Sequence, residues 1–547
     1  MAGMPGILCQ PAFQALPGRM AQMPHHLGRG HRRGGVQVHR APSFLGTGHT
    51  IILSFSLQEN VRSSFGLFFG LKCFKAIFPS SVRNNSNLFL SASHEKYGAK
   101  EGIMAEKTTI LDMNRFDDSN LDGLDENKRE LVRRRRILGK GYRLFYKDPV
   151  EIVRGEGSHV FDEKGNDYLD AYNNVVSVGH CHPHVVEAIA KQAATLNTHT
   201  RYLHETILDY SEALIAKMPR EIDRITYQCT GSEANDLAIR IARNYTGGRG
   251  IIITNEAYHG NTDLVSSFSP SIGKGQALSL EAGILPTPDT HAIGEDEIGD
   301  YMIKALKAEI ARMKRHGIKF AALLVDSIFS SDGIFPGKPG WLAKVADAVH
   351  EEGGLYIADE VQPGFCRTGE AFWGFARHGI VPDIVTMGKP MANGIACSAT
   401  AVRHEILDTF NDKIPYFNTF AGNPVAMAAA KATLEVMDGE DIMGNAHRVG
   451  ALFKNELQKL AKDHPSIADV RGAGLYIGVE FDDPETGDPL SIEVLSLIEQ
   501  MRQHRVLTSN CGSYGNIMKI RPPLVFSESD VNRYMTALEE SLTALGL

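Results

Sequence analysis

The sequence lacks any apolar run approaching the ~18 residues that a membrane-spanning helix needs. Its longest candidate, Phe65 to Phe78, is broken by Lys72 and Lys75. Cysteine is sparse: there are seven, an odd number, and none falls in a C-x-x-C pair. That argues against a disulfide scaffold and against a zinc site, and it leads us to expect reduced thiols and a cytoplasmic protein. An excess of positive charge is also missing. With a formal net charge of −8 the chain offers no electrostatic footprint for nucleic acid. After Met104 there is no internal repeat and no low-complexity tract.

What is present is an ordinary globular composition, 43% hydrophobic and 22% charged, over 547 residues, with room for more than one domain. The charge is uneven. Eleven of the 57 basic residues but only three of the 65 acidic ones precede Met104, so the remainder stands at −16. Residues 1–103 are rich in Gly, Arg, Ser and Asn with little periodicity, and read as a transit peptide, a disordered basic tail, or an upstream extension with Met104 as the natural start. The last two together are preferred, and 1–103 is set aside as a disordered extension.

From Asn120 to about Lys140 a charged helix is expected. Residues 153–174 then alternate apolar and polar around Glu163–Asn166, a hairpin signal. Beyond this, helical patterns alternate with short apolar runs: RITYQCT, GIIITNE, FAALLVDSIF, GLYIADEV, DIVTMG and ACSATAV. Continuous runs flanked by helices indicate strands buried on both faces, and the alternation predicts an open α/β sheet. From about Val436 long helices and a few strands (GLYIGVEF, IMKIRPP) predict a smaller α+β domain. The expected division is 104–170 as the N-terminal segment of the small domain, 171–435 as the large domain, and 436–547 as the C-terminal small domain.

Open α/β sheets bind ligands at the carboxyl ends of their strands. After ITYQCT, Gly231 and Ser232 open a helix, which is either a phosphate site or a plain cap with Ser232 at the N-cap. After GIIITNE, Tyr258 and His259 stand where a flat ligand can stack. Asp359 ends an apolar strand, where a carboxylate needs a cation: a metal, or a protonated heterocycle. No His or Cys cluster accompanies it, which weighs against metal. Lys389 follows DIVTMG, and a lysine desolvated in an apolar cleft becomes an amine nucleophile and proton shuttle. One ligand uses all four features, namely pyridoxal 5'-phosphate. Lys389 forms its Schiff base, Asp359 pairs with the pyridinium nitrogen, Gly231 and Ser232 hold the phosphate, and Tyr258 lies on the ring face.

The stretches TGSEANDLAIRIAR, AYHGNT, LYIADEVQPGFCRTGEAFWGF, PDIVTMGKPMANG and NTFAGNPVAMAAA resemble the class-III pyridoxal-phosphate-dependent aminotransferases, over roughly Tyr142 to Leu545. The resemblance implies fold type I: a large domain with a mostly parallel central sheet flanked by helices, plus a smaller C-terminal domain. It also implies a homodimer with shared active sites. Gln362 should contact the cofactor's ring hydroxyl, Thr419 should reach the phosphate of the neighbouring subunit's cofactor, and His259 follows the stacking aromatic. The implied partners are an amine donor and an oxo-acid acceptor, with Lys389 as anchor and general acid/base. Two departures stand out. Asp326 and Ser327 replace the Glu-Pro of many members, and Lys519 stands where many place a carboxylate-binding Arg. The Glu–Arg gate that lets one pocket take two unlike substrates is therefore in question. Arg521 is a substrate-anion candidate, or an Arg lying over a core edge. Residues 173–184 and 196–204 also look like a branch containing lyases on phosphorylated amines, and Arg201 there suits a phosphate, a carboxylate, or a loop-holding acid.

Overall fold

The Glu163–Asn166 turn does close a hairpin. The Asp162 carboxylate accepts from the backbone N–H of Lys164 at 3.0 Å and of Asn166 at 2.8 Å, so one side chain folds the turn. Strands β1 (Ile152–Glu156), β2 (His159–Asp162) and β3 (Asp167–Asp170) run antiparallel in order. The computed structural model describes Thr109 and residues 112–547, within the second of two compact units, Asn85–Leu547; the extension expected over 1–103 lies outside the described residues. The charged helix expected from Asn120 is shorter, Glu126–Arg135, capped by Asp125 and flanked by 3-10 turns. It buries no side chain, so nothing apolar extends it.

The six apolar runs form a seven-stranded sheet together with one strand that the sequence pattern missed. It comprises β4 (Arg224–Gln228), β5 (Gly250–Thr254), β6 (Ala282–Leu285), β7 (Phe320–Val325), β8 (Leu355–Asp359), β9 (Ile384–Met387) and β10 (Ser398–Val402), in the order β4-β10-β9-β8-β7-β5-β6. β10 is antiparallel to both neighbours, and the other pairs are parallel. β4 therefore runs with β9, and the carboxyl ends of β4, β5, β8 and β9 share one edge. Strand β6 was missed because it is four residues long with a central Gly283, too short for a period to show.

The last segment supplies β11 (Ile467–Ala473), β12 (Tyr476–Phe481), β13 (Val506–Leu507), β14 (Ser509–Cys511) and β15 (Ile517–Ile520). β11, β12, β15 and β14 form an antiparallel sheet, while β13 joins β3 in parallel. The 152–170 hairpin thus shares a sheet with the C-terminal region.

The final helix, Glu528–Leu545, starts on a Ser527/Asp530 capping box. The Asp530 carboxylate also accepts from Ser158 Oγ at 2.9 Å and pairs with His159 Nε2 at 3.2 Å, tying this helix to β2. Burial pushes this acid up, but the bonds from His159, Ser527 and Ser158 outweigh it and hold it down at about 2. A depressed carboxylate stabilises the fold above its unfolded pKa and loses that contribution as pH falls toward its folded value. The gap between 3.8 and about 2 is worth about 2 kcal/mol. We expect Asp530→Asn to cost about that much at pH 7 and to flatten the stability loss between pH 4 and 2. Urea titrations at stepped pH read both.

Candidate active site

Four strand ends meet at the shared edge. Asp359 closes β8 and sits opposite Thr386 of β9, and Lys389 follows β9 by two residues. A Cβ on Gly388 would stand 3.4 Å from Gly231 N, so the lysine turn abuts the start of the helix Gly231–Thr246.

That helix is not capped by Ser232. Thr230 is the N-cap, and it and Glu233 form a reciprocal capping box. The signal was the T-x-x-E spacing of 230–233. The box satisfies the N–H groups of Thr230 and Glu233, leaving those of Gly231 and Ser232 without partners inside the helix. Ser232 Oγ accepts from Asn261 N at 3.1 Å. Gly260, with φ +146, packs against this turn, and a Cβ there would lie 2.6 Å from Ser232 Oγ. A narrow, N–H-lined cradle results, fit for a phosphate. Gly260→Ala is expected to push the loop off the helix start and weaken pyridoxal phosphate binding about tenfold, measured by equilibrium dialysis.

Asp359 is 3% exposed. Its Oδ2 accepts from His259 Nδ1 at 2.7 Å and Asn235 Nδ2 at 2.9 Å, and its Oδ1 from Val361 N at 3.0 Å. Asn235 also donates to the His259 carbonyl at 2.8 Å and accepts from Thr386 Oγ1 at 2.6 Å. The sequence pattern missed Asn235, although it lies four residues after Gly231 and so one turn along the same helix face. His259 Nε2 is buried without a partner. His259 thus holds the Asp359 carboxylate through Nδ1. Tyr258 is half-buried, and burial raises its hydroxyl pKa.

Lys389 is pulled down to about 8, first by burial, then by the charge of Arg521, against the opposing charge of Asp359. Gln362 Oε1 accepts from Asn174 Nδ2 and, at 3.0 Å, from Arg521 Nη1. Arg521 is buried, bonds Asn174 Oδ1 at 3.1 Å, and lies 4.4 Å over the Tyr172 ring. It is a member of the cleft, not an Arg lying over a core edge. Asn174 and Tyr172 were not singled out by the sequence, because nothing local links them to a residue some 350 positions away.

Two expected residues are not brought to this cleft within the chain. Thr419 is exposed, and Arg201 is exposed with its guanidinium 4.1 Å over the Phe417 ring. Asp326 makes no ion pair among the described residues. Its carboxylate accepts from Ile328 N at 2.9 Å, Ser330 N at 3.0 Å and Ser330 Oγ at 2.7 Å, capping its own turn. That turn carries Phe329 at φ +50 and Ile334 at φ +64, and Arg471 straps it by donating to the carbonyls of Gly333 and Ile334.

The cradle, the buried carboxylate and the desolvated amine fit pyridoxal phosphate: Gly231 and Ser232 for its phosphate, Asp359 for its ring nitrogen, Lys389 for its aldehyde. No group of three or more metal-ligating side chains occurs among the described residues. The class-III aminotransferase family model matches residues 145–542. The chain is 36% identical to an alanine–glyoxylate aminotransferase 2-like protein of Drosophila melanogaster, over 77% of this chain and 88% of that one. It is 35% identical to ethanolamine-phosphate phospho-lyase homolog 1 of Caenorhabditis elegans, over 77% and 94%. Among solved structures it is similar to an Arthrobacter phospholyase in complex with phosphoethanolamine, at 38% identity and TM-score 0.73, covering 76% of this chain and 99% of that one. The chain belongs to the class-III aminotransferases, pyridoxal-phosphate-dependent enzymes of fold type I.

Proposed function

We propose that the protein moves an amino group from a small amine or amino acid to an oxo acid, with Lys389 Nζ both holding the cofactor and moving the proton. The observation that carries this reading is the placement of Lys389 beside Asp359 at one sheet edge, with its amine held at about 8. A general base works best when its pKa lies near the operating pH, and an ordinary lysine at 10.5 does not. Bound pyridoxal phosphate supplies an electron sink for the bond broken at the substrate carbon. The chain's own groups do the rest. Asp359, held by His259 and Asn235, presents a fixed negative charge to the ring nitrogen. Gln362 and Arg521 give one wall of the cleft its hydrogen-bonding groups. Gly231 and Ser232 anchor the phosphate end.

A second reading is elimination of phosphate and ammonia from a phosphorylated amine. Asp326 favours it. Capping its own turn, it cannot cover a cation of the cleft for a second, unlike substrate. The test is to supply 2-aminoethyl phosphate with no oxo acid and assay inorganic phosphate and ammonia. A single half-turnover that stalls supports amino transfer; sustained release over many turnovers overturns it in favour of the lyase.

We also infer a homodimer with shared sites. Thr419 and Arg201 stand on an exposed face with Tyr202, Leu203 and Phe420, the last three 66%, 100% and 72% exposed. Such a contiguous apolar face is what a subunit interface covers. Mixing inactive Lys389→Ala and Thr419→Ala proteins under exchange conditions should restore activity in hybrids; no recovery would sink the shared site. A cytoplasmic location is inferred from the five free thiols among the described residues, Cys181, Cys229, Cys366, Cys397 and Cys511, and cell fractionation checks it.

A further inference from the structure

Asp359 of β8, Thr386 of β9 and Thr400 of β10 stand side by side across three strands. The row before them is Ile357, Ile384 and Val402, which packs with Leu237, Ala238 and Ile241 of the helix Gly231–Thr246. Residues two apart along a strand share a face, so both rows look toward that helix. This face of the sheet thus changes from hydrocarbon to polar groups within two residues, at the edge that carries Lys389. Thr386 is fully buried in the polar row. A valine there would have nearly the same shape, whereas a buried hydroxyl costs free energy unless it is bonded. The hydroxyl is bonded: Thr386 Oγ1 donates to Asn235 Oδ1 at 2.6 Å.

Asn235, also buried, directs both amide hydrogens the other way. Its Nδ2 donates to Asp359 Oδ2 at 2.9 Å and to the His259 carbonyl at 2.8 Å. Two acceptors on one side and a hydroxyl on the other leave the amide one way round. Neighbouring hydroxyls fix the helix itself. Ser398 Oγ donates to the Thr230 carbonyl at 2.7 Å, and Thr400 Oγ1 to the Ala234 carbonyl at 3.1 Å. The phosphate cradle and the carboxylate also sit on touching turns. A Cβ on Gly231 would lie 3.0 Å from Val361 Cγ2, and Val361 N donates to Asp359 Oδ1 at 3.0 Å. Asn235 therefore ties together the helix that opens with the cradle, the loop that carries Tyr258 and His259, and the Asp359 carboxylate. A cofactor anchored by its phosphate meets that carboxylate well only if the separation between the two grips is kept.

We propose that Thr386 is a positioning residue for the cofactor's pyridine nitrogen. Acting through Asn235, its hydroxyl sets where the Asp359 carboxylate stands relative to the phosphate cradle. With the hydroxyl removed, Asn235 Oδ1 is a buried acceptor without a donor, the amide is free to turn, and its bond to Asp359 slackens. The inference rests on the placement of the ring nitrogen at Asp359 in the proposed function, and it is the same for amino transfer and for elimination.

The test is a competition between two cofactors. The cofactor-loaded full chain is dialysed against mixtures of pyridoxal phosphate and its carbocyclic analogue, in which C–H replaces the ring nitrogen while the aldehyde, hydroxyl and phosphate remain. Chromatography of the released ligands reads the bound ratio. The wild type should prefer pyridoxal phosphate about 10- to 100-fold, the worth of one charge-assisted hydrogen bond. Thr386→Val removes the hydroxyl at nearly constant shape, and Thr386→Ser and Thr386→Ala differ from each other in the hydroxyl alone. Thr386→Val and Thr386→Ala should lose about tenfold of the preference, and Thr386→Ser should keep it within threefold. A general loosening of the site weakens both cofactors alike and leaves the ratio where it was. If Thr386→Val fails to fold, Thr386→Ser against Thr386→Ala decides. A preference that moves less than threefold in the hydroxyl-free variants, or that falls as far in Thr386→Ser, overturns the inference and leaves the proposed function standing. A wild type that binds both cofactors alike overturns it together with the placement of the ring nitrogen at Asp359.

Discussion

Lys389→Ala is expected to lower turnover about 10⁴-fold while leaving the fold intact. The upper end of the effect of a positioned general acid/base is about 10⁴, and this side chain also supplies the attachment point. The fold is expected to survive because Lys389 makes no ion pair among the described residues; removing a desolvated amine pulled down to about 8 removes a cost, not a contact. Three measurements check this. The variant's melting temperature should match or exceed the wild type's. Borohydride followed by mass spectrometry should fix the cofactor to the peptide carrying Lys389 in the wild type and not in the variant. Added methylamine should restore part of the lost rate, because a free amine can occupy the vacated space and carry the proton. A variant retaining more than about a tenth of wild-type turnover would refute the assignment of the base. The pH profile follows from the same group. The amine is active when neutral, so cofactor capture by the apoprotein should speed up as pH rises through about 8 and level off above it.

Asp359→Asn should cost about 10³-fold in turnover, the size of losing one preorganised electrostatic contact at the reacting centre. Asparagine keeps the shape but not the charge, so a ring nitrogen facing it is no longer held protonated. It also turns one acceptor into a donor facing His259 Nδ1 and Asn235 Nδ2, two donors 2.7 Å and 2.9 Å from Oδ2. That buried clash adds a stability loss of about 1–3 kcal/mol, readable by denaturation. The two effects separate experimentally. Loading the variant with N-methylated pyridoxal phosphate, whose ring nitrogen bears a fixed positive charge, should recover much of the rate and none of the stability. Recovery of neither would show that Asp359 serves the packing of His259 and Asn235 alone.

The strands and their ends were legible because each depends on neighbours in the chain. Six apolar runs bounded by turns became six strands of the central sheet, and Asp359, Lys389 and the Gly231 helix start stand at carboxyl ends as expected. The family motifs were legible for the same reason, since each is a short contiguous stretch. β6 escaped, and so did Thr230 as the cap, although its T-x-x-E spacing was there to be read.

Taken alone, the chain's order of residues determined which elements form and which reactive side chains stand at their ends, because propensity, periodicity and capping act over a few residues. Only the tertiary structure decided what those side chains face. Strand order brought Asn235 and His259 onto Asp359, and brought Arg521 onto Gln362, 159 residues away. It left Arg201 and Thr419 on an outer face, closed Asp326 into its own turn, and buried Lys519. Charge pairing in a low-dielectric interior depends on separations of a few ångströms between distant parts of the chain, and no local pattern records such separations.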